Sequence, residues 1–219
     1  GLNGLGLCAT QFASEFMDVE IFRDGFRYNL HFEHGNNVGG LKKEPTTQKK
    51  TGTRTRWKPD LDVFTDIQIP DEFFHDILRR QAIVNPNLLF TYRSQSEDGS
   101  FSVREFRYEN GITDYVQEIV GDKAMTSIQH WQCEKKGRDR ADKPEYKVRI
   151  NVALTFSNQI KLTEFYHNSS FLEHGGSPER AVRQAFVSQI DSYLKQNSKY
   201  LKNESKITYA DIEDCLVLV

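Results

Sequence analysis

Gly1-Leu2-Asn3-Gly4-Leu5-Gly6, running directly into Leu7-Cys8-Ala9-Thr10-Gln11-Phe12-Ala13-Ser14-Glu15-Phe16, decides how the rest of the chain is read. Three glycines in six positions do not build a core. They permit positive φ and let a ligand approach bare backbone. The residues that follow have helical character, with Leu7, Phe12 and Phe16 expected on one broad apolar face. A glycine turn that opens a helix leaves unpaired amide N–H groups at the positive end of the helix dipole, and such an end suits phosphate. The spacing Gly-x-x-Gly-x-Gly is neither the dinucleotide fingerprint nor a Walker A loop, since no Gly-Lys-Ser/Thr follows. A phosphate cradle and a plain glycine turn both fit it.

Outward from that stretch, 219 residues suffice for one large domain or two small ones with a real core. With 27% charged and 37% hydrophobic residues the chain is polar but globular. A formal net charge of −2 gives no global basic field, so contact with nucleic acid has to come from local patches. Cys8, Cys133 and Cys215 are odd in number and far apart, which fits neither a disulfide framework nor a zinc site and points to a reducing, cytoplasmic setting. No apolar run approaches the ~20 residues of a membrane helix, so no membrane partner is expected. Both ends read as those of a fragment: a glycine loop at the very start, and Asp214-Cys215-Leu216-Val217-Leu218-Val219 as a strand cut short.

The pattern along the chain is mixed. Asp18 to Arg23 alternates and meets Asp24-Gly25, a hairpin signal, after which Phe26, Tyr28, Leu30 and Phe32 fall on one strand face. His34-Gly35-Asn36-Asn37 is a turn. A lysine-rich loop (Lys42, Lys43, Lys49, Lys50) leads into an alternating strand with Thr53, Thr55 and Trp57, ended by Pro59, in which Trp57 is expected in the core. A helix with Asp71 and Glu72 in its first turn runs to Asn85-Pro86. Two strands, 88–93 and 101–108, flank the turn 97–100, and a short helix covers 112–120. Beyond Gly121-Asp122 follow a strand over 126–133, a polar loop over 134–144 and strands over 145–156 and 160–167. A loop over 168–176 precedes a long helix capped by Ser177 with Pro178 at its first position. Interleaved helices and hairpins argue an α+β fold rather than a doubly wound sheet.

Several landmarks now fall in one order. Gly-Leu-Asn-Gly-Leu-Gly before a helix resembles the ATP lid of the B subunits of bacterial DNA gyrase and topoisomerase IV. Lys50-Thr51-Gly52-Thr53-Arg54-Thr55-Arg56-Trp57-Lys58-Pro59-Asp60 resembles that family's Thr-Gly-Thr strand, and Phe64-Thr65 and Leu78-Arg79 continue the order. Tyr108-Glu109-Asn110-Gly111-Ile112 resembles its Tyr-x-x-Gly-Ile step, and Asn168 with Glu173-His174-Gly175-Gly176-Ser177 resembles its Asn…Glu-Gly-Gly-Thr loop. The resemblance covers nearly the whole chain, and the Thr-Gly-Thr strand sets it apart from chaperone and mismatch-repair relatives.

That resemblance implies a division. Residues 1–121 would be the C-terminal portion of a Bergerat-type ATPase sandwich, and 122–219 a truncated βαβ transducer domain akin to ribosomal-protein-type folds. It implies that Gly1, Leu2, Asn3, Gly4, Leu5 and Gly6 bind the ATP phosphates, that Thr53 helps hold the adenine through water, and that Arg23 stands at the rim of the adenine pocket. The family's general-base glutamate, magnesium-binding asparagine and adenine-reading aspartate all precede the glycine loop, and its transducer lysine lies beyond Val219. No catalytic residue and no metal ligand is therefore expected here, and the ATP and Mg2+ of the parent protein are not expected to bind the fragment. DNA, an A-type DNA-cleaving subunit and a second copy of the ATPase gate are the implied partners. The family motif Gly-Gly-Thr-His appears as Gly175-Gly176-Ser177-Pro178, and the 134–144 loop is longer than is common in gyrase, which leaves gyrase, topoisomerase IV and a divergent relative open.

The remaining chemistry is bland. Six scattered histidines show no metal-ligand spacing with cysteine or carboxylate, Glu72 and Asp76 read as solvated, and no serine occupies a nucleophile elbow. Lys42, Lys43, Lys49, Lys50, Arg54, Arg56 and Lys58 fit either DNA phosphates or a solvated loop. From a different class, a nucleic-acid or protein interaction module with a structural glycine turn is the alternative to the ATPase gate. The gate reading expects a steady-state assay on this polypeptide alone to show no ATP hydrolysis; measurable turnover contradicts it.

Overall fold

The computed structural model describes residues 5–197 and 200–219. The chain forms two compact units, Gly1–Pro70 and Asp71–Val219.

In the first unit, α1 (Leu5–Phe12) leads into a sheet of β1 (Ser14–Arg23), β2 (Phe26–Glu33), β3 (Asn36–Asn37), β4 (Lys42–Pro45) and β5 (Gly52–Pro59). The sheet order is β3-β2-β1-β5, with β4 also paired to β2. β1 and β2 close through Asp24-Gly25, both at positive φ (53° and 74°), the two-residue turn whose twist matches paired strands. Its register sets Arg23 against Phe26 and runs without interruption to Phe16 against Glu33. Since side chains alternate along a strand, Met17, Val19 and Ile21 share a face with Phe26, Tyr28, Leu30 and Phe32, as the sequence leads one to expect.

Three expectations are corrected in this unit. Phe16 is not on the first helix, which ends at Phe12: Ser14 Oγ donates to the Thr10 carbonyl and β1 begins there, placing Phe16 between Glu33 and Lys58. Pairing with two strands outweighs the helical spacing. The lysine-rich loop is partly a strand, because Lys42–Pro45 pairs with β2 through Asn29↔Lys42 and Phe26↔Pro45. Trp57 is 43% exposed rather than in the core, on the sheet face it shares with buried Met17.

In the second unit, α2 (Asp71–Val84) is followed by the hairpin β6 (Phe90–Gln95) and β7 (Phe101–Phe106) and by α3 (Ile112–Val120). Then come β8 (Gln129–Gly137), β9 (Tyr146–Phe156), β10 (Leu162–Thr163), β11 (Tyr166–His167), β12 (Ser170–Phe171), α4 (Gly176–Asn197), α5 (Tyr209–Glu213) and β13 (Leu216–Leu218). The main sheet has the order β10-β13-β9-β8, with β10 parallel to β13 and the other pairs antiparallel. Helix α3 covers the 112–120 span read from the sequence. The polar loop is shorter than expected: β8 continues to Gly137 opposite Tyr146, held by ion pairs from Lys147 and Arg149 to Glu134. Likewise the 168–176 loop contains the small β11–β12 hairpin, turned at Asn168 with φ 54°. Helix α4 begins at Gly176, which leaves Pro178 in the first turn, where a missing N–H has no helical partner to lose.

One core joins Ala82, Ile83, Phe106, Ile112, Val116 and Val120 to Ala153, Val217 and Val219, so α2, β7 and α3 pack with the sheet. A second cluster gathers Phe165, Ile212, Leu216 and Leu218 under α4. The expected division at Gly121 lies inside this unit, in the turn after α3. Gly111, at φ 57°, is required where the chain enters α3: a Cβ there would stand 3.0 Å from the Ile83 carbonyl oxygen. Replacing Ile83 by alanine removes a fully buried side chain at this junction and is expected to lower stability by about 2–5 kcal/mol, read from the midpoint of denaturant unfolding.

Candidate functional site

Of the stretch expected to bind phosphate, Gly1, Leu2, Asn3 and Gly4 lie outside the described residues. Leu5 and Gly6 form the first turn of α1 and are exposed, and a Cβ built on Gly6 would meet nothing within 4 Å. The far end of α1 is anchored instead. Gln11 Nε2 donates to the Gly35 carbonyl at 2.8 Å, and the Phe12 ring occupies the space that a side chain at residue 35 would need. Next to it, His34 Nδ1 lies 2.8 Å from Asp60 Oδ2, and the Asp60 amide donates to the Ala13 carbonyl at 3.1 Å. The Asp62 amide and then His34 hold the Asp60 carboxyl below its ordinary pKa. The C-terminal end of α1 is thus fixed, while Leu5 and Gly6 in its first turn are exposed.

Thr53 and Arg23 are brought to one face of the sheet. Thr53 stands opposite Ile21 across the β1–β5 pair, and Arg23 follows Ile21 by two residues on β1. The Arg23 side chain is 76% exposed and pairs with Asp24 at 3.4 Å. Both residues are exposed and carry polar groups on the face shared with Tyr28, Ile21 and Thr55. Such a face suits the plane of an aromatic base with a few polar contacts at its edge.

The opposite face of the same sheet is ionic, and it contains groups that sequence reasoning missed. His31 lies between Asp18 (Nδ1 to Oδ1, 2.7 Å) and Glu33 (Nε2 to Oε1, 3.2 Å). The hydrogen bond to Asp18 and then that to Glu33 raise the His31 pKa above the usual imidazole value. Arg27 Nε donates to Glu20 Oε1 at 2.6 Å, and Lys58 pairs with Glu15. The signal for this cluster was present in the Asp24-Gly25 turn: once Arg23 faces Phe26, Asp18 has to face His31.

In the second unit, buried tyrosines hold carboxylates. Tyr115 and Tyr166 both donate to Glu164, at 3.2 and 2.8 Å, and Tyr108 donates to Glu118 at 2.7 Å. Burial first, and the adjacent carboxylates second, push all three phenols well above their ordinary pKa. Nearby, Arg80 lies over the Phe171 ring at 3.9 Å and Gln81 donates to the Ser169 carbonyl at 2.8 Å, which fastens α2 to the β11–β12 hairpin. Among the described residues no group of three or more His, Cys, Asp or Glu could hold a metal ion, and no helix is long and apolar enough to cross a membrane.

The family model described as DNA gyrase B matches residues 111–219. All of the chain aligns with the DNA topoisomerase 4 B subunit of Streptococcus pneumoniae at 25% identity and with the DNA gyrase B subunit of Thermotoga maritima at 24%. It covers 32% and 34% of those proteins, so the chain spans about a third of the length of the curated relatives it matches. In fold it is similar to the 43K ATPase domain of Thermus thermophilus gyrase B (TM-score 0.68, 20% identity, 99% of this chain and 57% of that one). It is similar also to the topoisomerase IV ATP-binding domain of Francisella tularensis (TM-score 0.67, 22% identity, 99% and 56%). Residues 111–219 thus match the DNA gyrase B family, and the whole chain is similar in sequence to gyrase and topoisomerase IV B subunits and in fold to these α+β ATPase domains.

Proposed function

We propose that the chain is part of the ATP-operated gate of a bacterial type II DNA topoisomerase, acting in the cytoplasm as a segment of a B subunit. The observation that carries this reading is the similarity to B subunits over the entire chain. The placement of Thr53 and Arg23 on one face of the first unit's sheet supports it. So does the exposure of Leu5 and Gly6 in the first turn of α1. An interaction module with a merely structural glycine turn accounts for none of these together.

In this reading the amides from Gly1 to Gly6 hold the β- and γ-phosphates of ATP, since N–H groups at a helix start carry partial positive charge. Thr53 supplies a hydroxyl to the adenine edge, and Arg23 closes the rim of the base pocket. Among the described residues no group of His, Cys, Asp or Glu could hold a metal ion, and in this reading Mg2+ is held elsewhere in the intact subunit. Residues 122–219 serve as the transducer, with the functional division at Gly121 and the clamp of Arg80 and Gln81 on Phe171 and Ser169 at its border. Phosphate contacts made in only one state of the lid shift the population toward the closed gate, in which two copies associate. The transducer passes that change to an A-type subunit that cleaves DNA. In the parent protein the net result is ATP hydrolysis coupled to DNA strand passage.

Gly6→Ala tests the phosphate role in a full-length subunit carrying this chain. Alanine meets no neighbour at this position and favours the helix by up to about 1 kcal/mol, so the fold is retained. ATP turnover is expected to fall at least about tenfold, because the added methyl stands where backbone must approach the phosphates. Unchanged kcat and KM for ATP would sink the assignment. Thr53→Ala is expected to raise KM for ATP more than it lowers kcat, as loss of a base contact made equally in ground and transition states requires.

A further inference from the structure

The ionic face of the first unit's sheet has no part in the nucleotide reading, yet its charges are arranged unevenly. Across β1 and β5, Asp18 stands opposite Arg56 and Glu20 opposite Arg54. Opposite charges at such positions ordinarily pair. Here both carboxylates turn the other way, toward β2, where His31 takes Asp18 and Arg27 takes Glu20. Arg54 and Arg56 are left exposed and make no ion pair among the described residues. Lys42, brought to the same face by its pairing with Asn29, is in the same condition. The Arg56 guanidinium rests over the Phe16 ring at 5.3 Å, which steadies it without neutralising it. These three cations border a shallow cleft of about 280 Å³ that Asp18, Glu20 and Arg27 also line.

We propose that this face is a docking surface for the phosphate backbone of DNA, held by Arg54, Arg56 and Lys42. Arg54 and Arg56 sit two residues apart on one extended strand, about 7 Å along it, a separation comparable to that of neighbouring phosphates on one nucleic-acid strand. The guanidinium fork takes two phosphate oxygens at once. An acidic peptide would offer carboxylates on flexible side chains with no such fixed interval. The surface lies on the side of the sheet opposite Thr53 and Arg23, so DNA and nucleotide do not compete for it. The choice of DNA as the polyanion rests on the topoisomerase reading; the unpaired cations do not.

The test uses the 219-residue chain and fluorescence anisotropy with a short labelled DNA duplex and its single strand across a salt series. Unlabelled polyglutamate and inorganic polyphosphate serve as competitors. Arg54→Gln/Arg56→Gln is compared with wild type and with Lys161→Gln/Lys195→Gln, whose lysines are already paired with carboxylates; circular dichroism confirms that each variant is folded. The surface variant is expected to lose at least about tenfold in DNA affinity at low salt and to lower the slope of log K against log salt by about 2, with the control unchanged. Duplex and single strand bound alike point to backbone recognition alone; preference for either identifies the strand form held. DNA binding that is indifferent to Arg54 and Arg56 overturns the surface while leaving the topoisomerase reading intact. Binding of polyglutamate or polyphosphate but not DNA, with the same arginine dependence, overturns DNA as the occupant and counts against DNA as a partner of this segment.

Discussion

The pairing of β1 with β2 through Asp24-Gly25 governs the first unit, because a two-residue turn admits only one register. A slip of a single residue would move Met17, Val19 and Ile21 to the ionic face and Asp18 and Glu20 to the apolar one. β5 then reads its own alternation off β1. Thr53, Thr55 and Trp57 go to the apolar side, and Arg54, Arg56 and Lys58 to the ionic side. One turn thus separates a face suited to an aromatic base from a face suited to anions.

The second unit relies on a different device. Its core is apolar around Ile83, Val116 and Val217, but at its margin the tyrosines of α3 and β11 donate to Glu164, and Tyr108 to Glu118. Glu164, half-buried, would be costly without hydrogen bonds, and the two phenol donors offset that cost. These bonds have fixed directions, so they specify how α3 sits on the sheet more sharply than apolar contact does. Tyr115 comes from the part before Gly121 and Glu164 from the part after it. The Tyr115–Glu164 bond therefore ties α3 to the link between β10 and the β11–β12 hairpin. That is the property expected of a segment that passes on the state of a nucleotide gate.

The two units also divide the work proposed for the family. The first presents α1 with an anchored C-terminal end, together with the sheet face proposed to meet the base. The second includes residues 122–219, the part proposed as the transducer. The ionic face adds a third surface. Its arginines are available because the carboxylates opposite them, Asp18 and Glu20, are held by His31 and Arg27 on β2, on which the arrangement depends as much as on Arg54 and Arg56.

Much of this was determined by sequence alone. Local signals with a mechanism identified the turn at Asp24-Gly25, the strand ended by Pro59, the helix stopped before Asn85-Pro86 and the 112–120 helix. The order of the glycine-rich and Thr-Gly-Thr landmarks pointed to the family. What required the tertiary structure were matters that local spacing does not encode. Phe16 has helical spacing from Phe12, but strand pairing on both sides claims it. Lys42–Pro45 and 134–137 are polar enough to read as loops, and become strands because neighbours offer their backbone hydrogen bonds. Trp57 has the side chain of a core residue on a face that leaves it partly open. The unpaired state of Arg54 and Arg56 follows from which of two equally near partners each carboxylate selects. Sequence brings opposite charges within reach, but only the three-dimensional arrangement of side chains decides which of them meet.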